Sequence, residues 1–501
     1  MLKQLYQFHP NLILRTPAEP FDSGFDAAAL QSRLQDAGFM EALYLASPDL
    51  CQECQKWLSG ELTDPKKVEK LQSAVARYYA RMSSRCTPFG LFAGCSVLSW
   101  GEQTRITLSK DHNARHTRLD MHYLCALAYQ LSEMEAVKAR IRYFPNTSLY
   151  QIGEEIRYIE HHFVQQERVH QVSSAPASAY LLRVIEASQP GQTRAALASL
   201  LADDATELAA AQGYIEVLIR AQVLVSELEP TVTGPEFYTH LQTVLTRLNA
   251  AAPDADIAAL LEILRQVDAQ LTTLDQNQVN PAAAYEQIVG ALQPLGIPIQ
   301  KNKLFQTDSM RGLEQGATLS SEVQEQLLEA LDILTYLTAP SKNERLEDFK
   351  DRFQARYEGK VVPLLEALDN ESGLRYSDFG KSTYSPLVHD LMLDGHGSKS
   401  RSLRQNEVQH FMYQKLREAD RNGQYSVEIT RQEMQGFVPV SSPLPPSVPV
   451  VFRMLGKGQI LVENVGGSSA VNLLGRFAHA DSRLEHIIRE VTRHEQEQNP
   501  V

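Results

Sequence analysis

Arg81 and Arg85 lie four residues apart with Thr87 just beyond them, inside the stretch Arg-Met-Ser-Ser-Arg-Cys-Thr-Pro-Phe-Gly-Leu-Phe-Ala-Gly that fills residues 81–94. On a helix that spacing stacks both side chains on one face. Paired guanidinium forks beside a hydroxyl suit a phosphate or carboxylate, because arginine stays charged and offers planar, bidentate donors. The bland alternative is two solvated arginines near a helix C-terminus, each worth roughly 0.3–1 kcal/mol against the macrodipole. Two other constellations invite a chemical reading. Cys51 and Cys54 form a Cys-x-x-Cys without a second pair at zinc spacing, and a helix start at Ser47-Pro48 puts both on one helix face. His112, His116 and Asp120 have ligand chemistry but no further ligands nearby in the sequence, so no metal is expected.

The elements that must hold the arginines are legible. Asp64 caps a helix that opens on Pro65, and Val68, Leu71, Val75, Tyr78 and Met82 recur at helical spacing, so residues 64–85 form an amphipathic helix. Pro88 turns Thr87 away from helical geometry, Gly90 and Gly94 permit tight turns, and an apolar run starts a strand over 95–98. Helix, forced turn and strand therefore follow one another. Upstream, Leu12-Ile13-Leu14 reads as a strand that stops at Pro17. Downstream, residues 104–108 alternate like a strand, and Asp120 is placed to cap a helix from Met121.

At 501 residues the chain can form about three domains. With 43% hydrophobic and 22% charged residues, it has the composition of an ordinary globular protein. No apolar run approaches the roughly 18 residues of a membrane helix, and the N-terminus lacks a signal-peptide core. Five cysteines, an odd number without a secretion signal, point to reduced thiols and a cytoplasmic location. A net charge of −13 excludes a general nucleic-acid coat, so any polyanion must meet a confined patch. Outside residues 81–94 the best linear candidate is Lys399, Arg401 and Arg404, with Lys415 and Arg417 further on.

Residues 145–230 carry two strands around Gly153-Glu154, three helical segments near 178–187, 193–201 and 206–220, and a closing strand at 223–225. That order is a winged helix-turn-helix, yet its third helix has little positive charge and is a poor DNA reader. Residues 236–294 are helical, with 254–274 the clearest amphipathic piece, and an extended segment then runs to Asp308, which could also serve a turn or a helix cap. Residues 345–357 are helical, five prolines in 439–449 mark a linker or edge, and 450–454 with 459–465 read as a strand pair. Ser482 and Glu485 form a capping box for a final helix. The fold class is α+β: several subdomains of mixed sheets and helices with an embedded winged helix-turn-helix. The domains are 1–144, 145–230 and 231–501.

Residues 81–94 closely resemble the signature of the lanthipeptide dehydratase (LanB) family in its N-terminal, tRNA-dependent glutamylation region. Residues 357–369 with Gly373 resemble the family's strand-and-turn block, and Gly475-Arg476-Phe477 resembles a further motif. The resemblance implies site roles for Arg15, Asp120, Asp308 and Arg476 beside Arg81, Arg85 and Thr87, with Arg15, Arg81, Arg85, Lys399, Arg401 and Arg404 facing tRNA. It also implies that 145–230 recognises a precursor leader peptide as an added strand, with Ile156, Tyr158, Leu208 and Ile215 as the groove. It covers nearly all of this sequence but only about half of a complete family member, whose glutamylation region continues and is followed by an elimination domain.

The reaction implied is acyl transfer of glutamate from glutamyl-tRNA to Ser or Thr hydroxyls of a ribosomally made precursor peptide. The tRNA ester is already activated, so no cofactor beyond this co-substrate is expected. Elimination then falls to a separate domain or C-terminal half, and family members often form homodimers. Two other readings stay open: an aminoacyl-tRNA peptide ligase, which would need ATP, and an inactive leader-binding subunit.

Overall fold

The computed structural model describes residues 5–21, 27–164, 167–202, 204–338, 343–369, 371–374, 376, 406–439 and 445–499. The chain folds into two compact units, one made of Met1–Ile141, Leu228–Ala330 and Leu444–Val501, the other of Arg142–Glu227 and Leu331–Pro443. Its many helices and several small sheets make an α+β architecture. Among the described residues no helix is long and apolar enough to cross a membrane.

The first unit is built on a sheet in which Asn11–Pro17 pairs antiparallel with Gly90–Gly101, which pairs parallel with Phe305–Met310, which pairs antiparallel with Ala114–Leu119. Thr318–Ser320 adds to the far end of Gly90–Gly101. The helix Pro65–Ser84 runs as its sequence dictates: Asp64 accepts a hydrogen bond from the Lys66 amide at 3.0 Å, and Leu71, Val75, Tyr79 and Met82 are buried. Each such side chain stabilises the fold by about 1.5–3 kcal/mol relative to leaving it in water. They pack on Phe92 of the sheet and on Phe39, Ala42 and Leu43 of Ala37–Ala46. On the other face Cys95 and Met310 pack against Phe477 and Leu484 from the C-terminal segment. The helices Phe237–Ala251, Ala255–Gln276 and Ala282–Leu292 complete the unit.

Both glycines of the 81–94 stretch have a steric reason. Gly90 sits at φ +51°, where a side chain is disfavoured. Gly94 lies so close to the neighbouring strand that a Cβ would stand 2.3 Å from the Ser309 carbonyl oxygen. Between them the register shifts, since Gly90 is opposite Asp308 and Gly94 opposite Ser309. The strand thus starts at Gly90, earlier than the apolar run 95–98 suggests.

Several expectations need correction. Residues 104–108 form isolated bridges, Arg105 to Thr318 and Leu108 to Leu313, because the segment lies across other chain segments without a continuous partner. Residues 357–369 hold a short helix, Leu364–Leu368, in place of a strand. The final helix Ser482–Gln498 is capped by Asp481, whose carboxylate accepts from the Arg483 amide at 2.7 Å, so Ser482 is its first helical residue.

In the second unit Tyr150–Ile152, Glu155–Val164 and Glu167–Pro176 form a three-stranded antiparallel sheet. The helices Ala179–Ser188, Arg194–Leu201 and Ala205–Arg220 follow, and Leu224–Ser226 pairs with Tyr143–Pro145. Arg157 anchors the sheet to the segment after Leu364–Leu368, reaching the two oxygens of Asp369 at 3.0 and 2.9 Å and Glu371 at 2.7 Å. Tyr150 donates to Asp369 at 2.9 Å, and the amides of Glu371 and Ser372 cap its Oδ1. Burial alone would raise the Asp369 pKa, but the Ser372 and Glu371 amides, Tyr150 and Arg157 hold it down at about 2.

The Asp369 contribution is fully present above its ordinary value of 3.8 and is lost as pH falls towards about 2. Asp369→Asn should therefore destabilise this unit by about 2 kcal/mol at neutral pH, because the buried carboxylate loses its charge-assisted bonds while Arg157 keeps Glu371 and Glu155 as partners. Urea unfolding from pH 7 to 2 checks this, and the gap between wild type and variant should narrow on the acid side.

Candidate functional site

Alternation along a strand sends every second side chain to one face. On one face of the main sheet this brings together Arg15 and Cys95, which are register partners, with Asp308, Met310, His116 and Arg118. Asp308 is 1% exposed, inside Phe305–Met310, so it serves neither as a turn nor as a helix cap. Its Oδ1 accepts from Arg476 Nε at 2.8 Å and Nη2 at 2.5 Å, and Arg118 Nη2 lies 3.1 Å from its Oδ2. The carboxylate is thus gripped by two arginines. Arg476 arrives in a 3-10 turn, Gly475–Phe477, held down by Phe477 in the core below. Arg15 donates to the Leu473 carbonyl at 3.0 Å, in the same C-terminal segment.

Cys95 forms the floor. Burial pushes its thiol up to about 12, opposed by Arg15 and then reinforced by Asp308 and Asp481, with Arg476 acting against them. At that value it stays a thiol and packs against the Met310 sulfur at 3.8 Å.

Arg81 occupies the last turn of Pro65–Ser84, and Arg85 is the C-cap residue, its amide bonded to the Arg81 carbonyl at 3.1 Å. The Arg81 guanidinium lies over the Phe89 ring, 4.5 Å from its centroid, and its buried Nε has no hydrogen-bond partner among the described residues. Burial, and then the positive charge of Arg85, lower the Arg81 pKa. Arg85 and Thr87 are exposed, and among the described residues Arg85 makes no ion pair. Two cations side by side without a counter-charge leave room for an anion. The register that sets Gly90 against Asp308 brings the end of this loop to the buried carboxylate.

Asp120 caps Met121–Glu133, its Oδ1 accepting from the His122 amide at 2.8 Å. Lys399, Arg401 and Arg404 lie outside the described residues. Lys415 and Arg417 sit on Glu407–Arg421, where Lys415 pairs with Glu433 and Arg417 stacks over Tyr413. Ile156, Tyr158 and Ile215, expected in a peptide groove, are 4%, 3% and 1% exposed and belong to the core of their unit, while Leu208 is half-buried. The open features there are the outer edge of Glu167–Pro176 and its exposed Val169 and Val172.

Cys51 and Cys54 are both buried on Pro48–Leu58, and burial is the main reason that the Cys54 thiol rises to about 12. Among the described residues no group of three or more His, Cys, Asp or Glu could hold a metal.

Sequence reasoning missed Arg118 and Glu236, and considered His116 only as a metal ligand. His116 Nε2 lies 2.5 Å from Glu236 Oε1, and Arg118 Nη1 lies 3.8 Å from the same oxygen. The available signal was the alternation His-x-Arg over 116–118, which on a strand aims both side chains the same way. The opposite face of the sheet carries a separate polar cavity of about 370 Å³, lined by Arg33, Arg115, Asp275, Ser309 and Arg311 among others.

A family model described as lantibiotic dehydratase, N terminus, matches residues 35–500. The chain is 22% identical over 483 residues to the subtilin biosynthesis protein SpaB of Bacillus subtilis, covering 93% of this chain and 44% of that protein. It is 22% identical over 383 residues to the nisin biosynthesis protein NisB of Lactococcus lactis subsp. lactis, covering 75% of this chain and 37% of that one. It thus spans less than half the length of the curated relatives it matches. Its fold is similar to the crystal structure of the tRNA dependent lantibiotic dehydratase MibB from Microbispora sp. 107891, with a TM-score of 0.74 at 20% identity, over 94% of this chain and 46% of that one. It also resembles the glutamylation domain TbtB from thiomuracin biosynthesis, with a TM-score of 0.55 at 19% identity, over 93% and 56% of the two chains.

Proposed function

Because the chain belongs to the lantibiotic dehydratase N-terminal family, we propose that it transfers glutamate from glutamyl-tRNA to Ser and Thr hydroxyls of a ribosomally made precursor peptide. The observation that carries this reading is the convergence of Arg15, Asp308 and Arg476 on one sheet face, with the Arg81, Arg85 and Thr87 loop ending against Asp308. A cationic surface around one buried carboxylate suits two anionic partners, the tRNA acceptor end and the glutamyl carboxylate. The relatives point the same way: two are named for subtilin and nisin biosynthesis, and the solved structures for tRNA dependence and glutamylation.

In this reading the peptide hydroxyl oxygen bonds to the glutamyl carbonyl carbon, the ester bond to the tRNA ribose breaks, and the hydroxyl proton ends on the released ribose oxygen. Arg81 and Arg85 hold the incoming anion, Thr87 hydrogen-bonds beside them, and Arg15 and Arg476 stabilise charge on the ester oxygen. Asp308 is buried with Arg476 on Oδ1 and Arg118 3.1 Å from Oδ2, so its role is to aim those guanidiniums. Asp120 is only half-buried and forms no ion pair among the described residues, which makes it the carboxylate assigned to the proton. Lys399, Arg401 and Arg404 would extend the tRNA contact.

Residues 145–230 act in this proposal as the leader-recognition element, a winged helix-turn-helix whose exposed edge strand Glu167–Pro176 takes the leader as an added strand. Supporting this are that open edge and the apolar side chains of Val169 and Val172 along it. Ile156, Tyr158 and Ile215 then support the sheet from beneath, with Leu208 at the margin. Loss of glutamate to give the dehydro residue is assigned to a separate elimination domain or subunit, and a homodimer to the assembled enzyme.

Mass spectrometry of the cognate precursor incubated with this chain and glutamyl-tRNA, with and without an elimination partner, tests the reading. A glutamyl adduct should form with the wild type. Arg85→Ala should reduce it at least roughly tenfold, since a charge-assisted contact to the anion is removed from an exposed residue that supports no packing. ATP should have no effect. Leader binding without any adduct under all of these conditions would refute the proposal.

A further inference from the structure

The charged groups behind Asp308 form an alternating chain. Asp275 Oδ2 lies 3.9 Å from His116 Nδ1, His116 Nε2 lies 2.5 Å from Glu236, Glu236 lies 3.8 Å from Arg118, and Arg118 lies 3.1 Å from Asp308, which holds Arg476. Glu236 occupies the N-cap position of Phe237–Ala251 but makes no capping hydrogen bond there; its carboxylate reaches across to the strand instead. A cap position in which the side chain leaves its own helix ends unsatisfied is a cost of up to about 1 kcal/mol against good capping residues. Arg118 Nη1, facing Glu236 at 3.8 Å, is buried without a hydrogen bond. It therefore stands between two carboxylates, closer to Asp308.

We propose that His116 is a positioning residue of the transfer site: protonated and paired with Glu236, it leaves Arg118 to Asp308 and Asp308 to Arg476. The inference rests on the glutamyl-transfer reading. When His116 is neutral, the Glu236 carboxylate is left with His479 and Arg118 to offset its charge, and it draws the Arg118 guanidinium, 3.8 Å away, from Asp308. Asp308 is then held from one side only, and the aim of Arg476 loosens. Proton uptake at one histidine is thereby converted into the placement of an arginine that meets the substrate.

The surroundings agree in sign. The hydrogen bond to Glu236 raises the His116 pKa above its ordinary 6.5, against burial and Arg118 and with help from Asp275. Burial would raise Glu236, but His116, His479 and Arg118 bring it below its ordinary value. Asp275 is raised by burial, offset by the Thr117 amide, His116 and Arg115, and Asp268 is the remaining carboxylate that feels Glu236. A histidine with a raised folded pKa stabilises fully below about 6.5 and loses that contribution as pH rises through the raised value. The pairing, and with it the placement of Arg118, fails on the alkaline side.

The test combines single-turnover transfer from glutamyl-tRNA to the cognate precursor across pH 5.5 to 9 with histidine NMR titration of the full chain. In the wild type the transfer rate should fall roughly tenfold on the alkaline side, with a midpoint at the His116 value seen by NMR. His116→Gln should show the low rate throughout and lack that limb. Adding Glu236→Gln to His116→Gln should restore most of the lost rate, because the competing carboxylate is gone. An alkaline limb unchanged in His116→Gln, or a double variant no faster than the single one, would overturn the inference while leaving glutamyl transfer intact. If the wild type transfers nothing at any pH, the transfer reading itself fails. The titration still decides the pairing: a His116 value no higher in the wild type than in Glu236→Gln overturns it.

Discussion

Asp308→Asn is expected to lower glutamyl transfer at least about a hundredfold while leaving the chain folded, because two charge-assisted contacts weaken at once. The carboxylate is buried and has Arg476 on one oxygen and Arg118 beside the other. Asparagine keeps the shape but not the charge, so both guanidiniums lose their fixed counter-ion, and one amide NH2 now faces a donor. The loss should appear in kcat more than in KM, since the arginine that is misaimed stabilises the transition state and the anion-binding pair Arg81 and Arg85 is untouched. Asp308→Ala goes further: it removes the buried counter-charge shared by the half-buried Arg118 and the exposed Arg476 and leaves a gap in the sheet, and should destabilise the first unit by about 2 kcal/mol. Urea unfolding of both variants separates the two effects. Equal destabilisation by Asn and Ala would show that the carboxylate is a packing element and not an aiming one.

Gly94→Ala is expected to destabilise the first unit by about 3 kcal/mol, as large an effect as overpacking usually produces. Its Cβ would stand 2.3 Å from the Ser309 carbonyl oxygen and 2.9 Å from the carbonyl carbon, both backbone atoms that cannot move aside without parting two central strands. The strand that would shift carries Asp308, so transfer should fall together with stability. Gly90→Ala tests the other glycine. Nothing crowds a Cβ there, and only the φ of +51° opposes it, so about 1 kcal/mol is expected. Gly213→Ala, inside Ala205–Arg220 with open space around it, is the control and should be neutral or slightly stabilising. A Gly94→Ala variant as stable as the wild type would mean that the strands are not held at this spacing.

Local chemistry was the readable part of this sequence. Asp64, Ser47, Asp120 and Asp254 each precede an apolar periodic run, and each caps the helix expected of it. The Gly153-Glu154 turn and the strands around it needed only nearest-neighbour information. The strand Glu167–Pro176 escaped notice because its alternation is mostly polar and its two valines face outwards, so no apolar run announces it. Its existence depends on pairing with Glu155–Val164. Asp308 could equally have been a turn residue in the sequence. Parallel pairing with a strand more than two hundred residues earlier and antiparallel pairing with Ala114–Leu119 bury it.

The site shows the same division. Arg81, Arg85 and Thr87 are adjacent in the chain, and Arg476 follows from a short motif. Glu236 reads in sequence only as the start of a helical stretch and acts on a histidine 120 residues away, a role set by tertiary packing alone. Ile156, Tyr158 and Ile215, expected in the leader groove, lie in the core because they are apolar side chains available to fill it. Apolarity marks burial more readily than it marks a docking surface.

The most direct measurement is rapid-quench transfer of radiolabelled glutamate from tRNA to the cognate precursor, with the wild type and with Arg476→Ala. Label should move to the peptide with the wild type, and the rate should fall at least roughly a hundredfold in Arg476→Ala, a variant that unfolds at lower urea because the buried Asp308 is left with Arg118 alone but stays folded in the assay. Label that stays on the tRNA with the wild type, or moves equally fast with Arg476→Ala, would contradict the assignment of this sheet face as the transfer site.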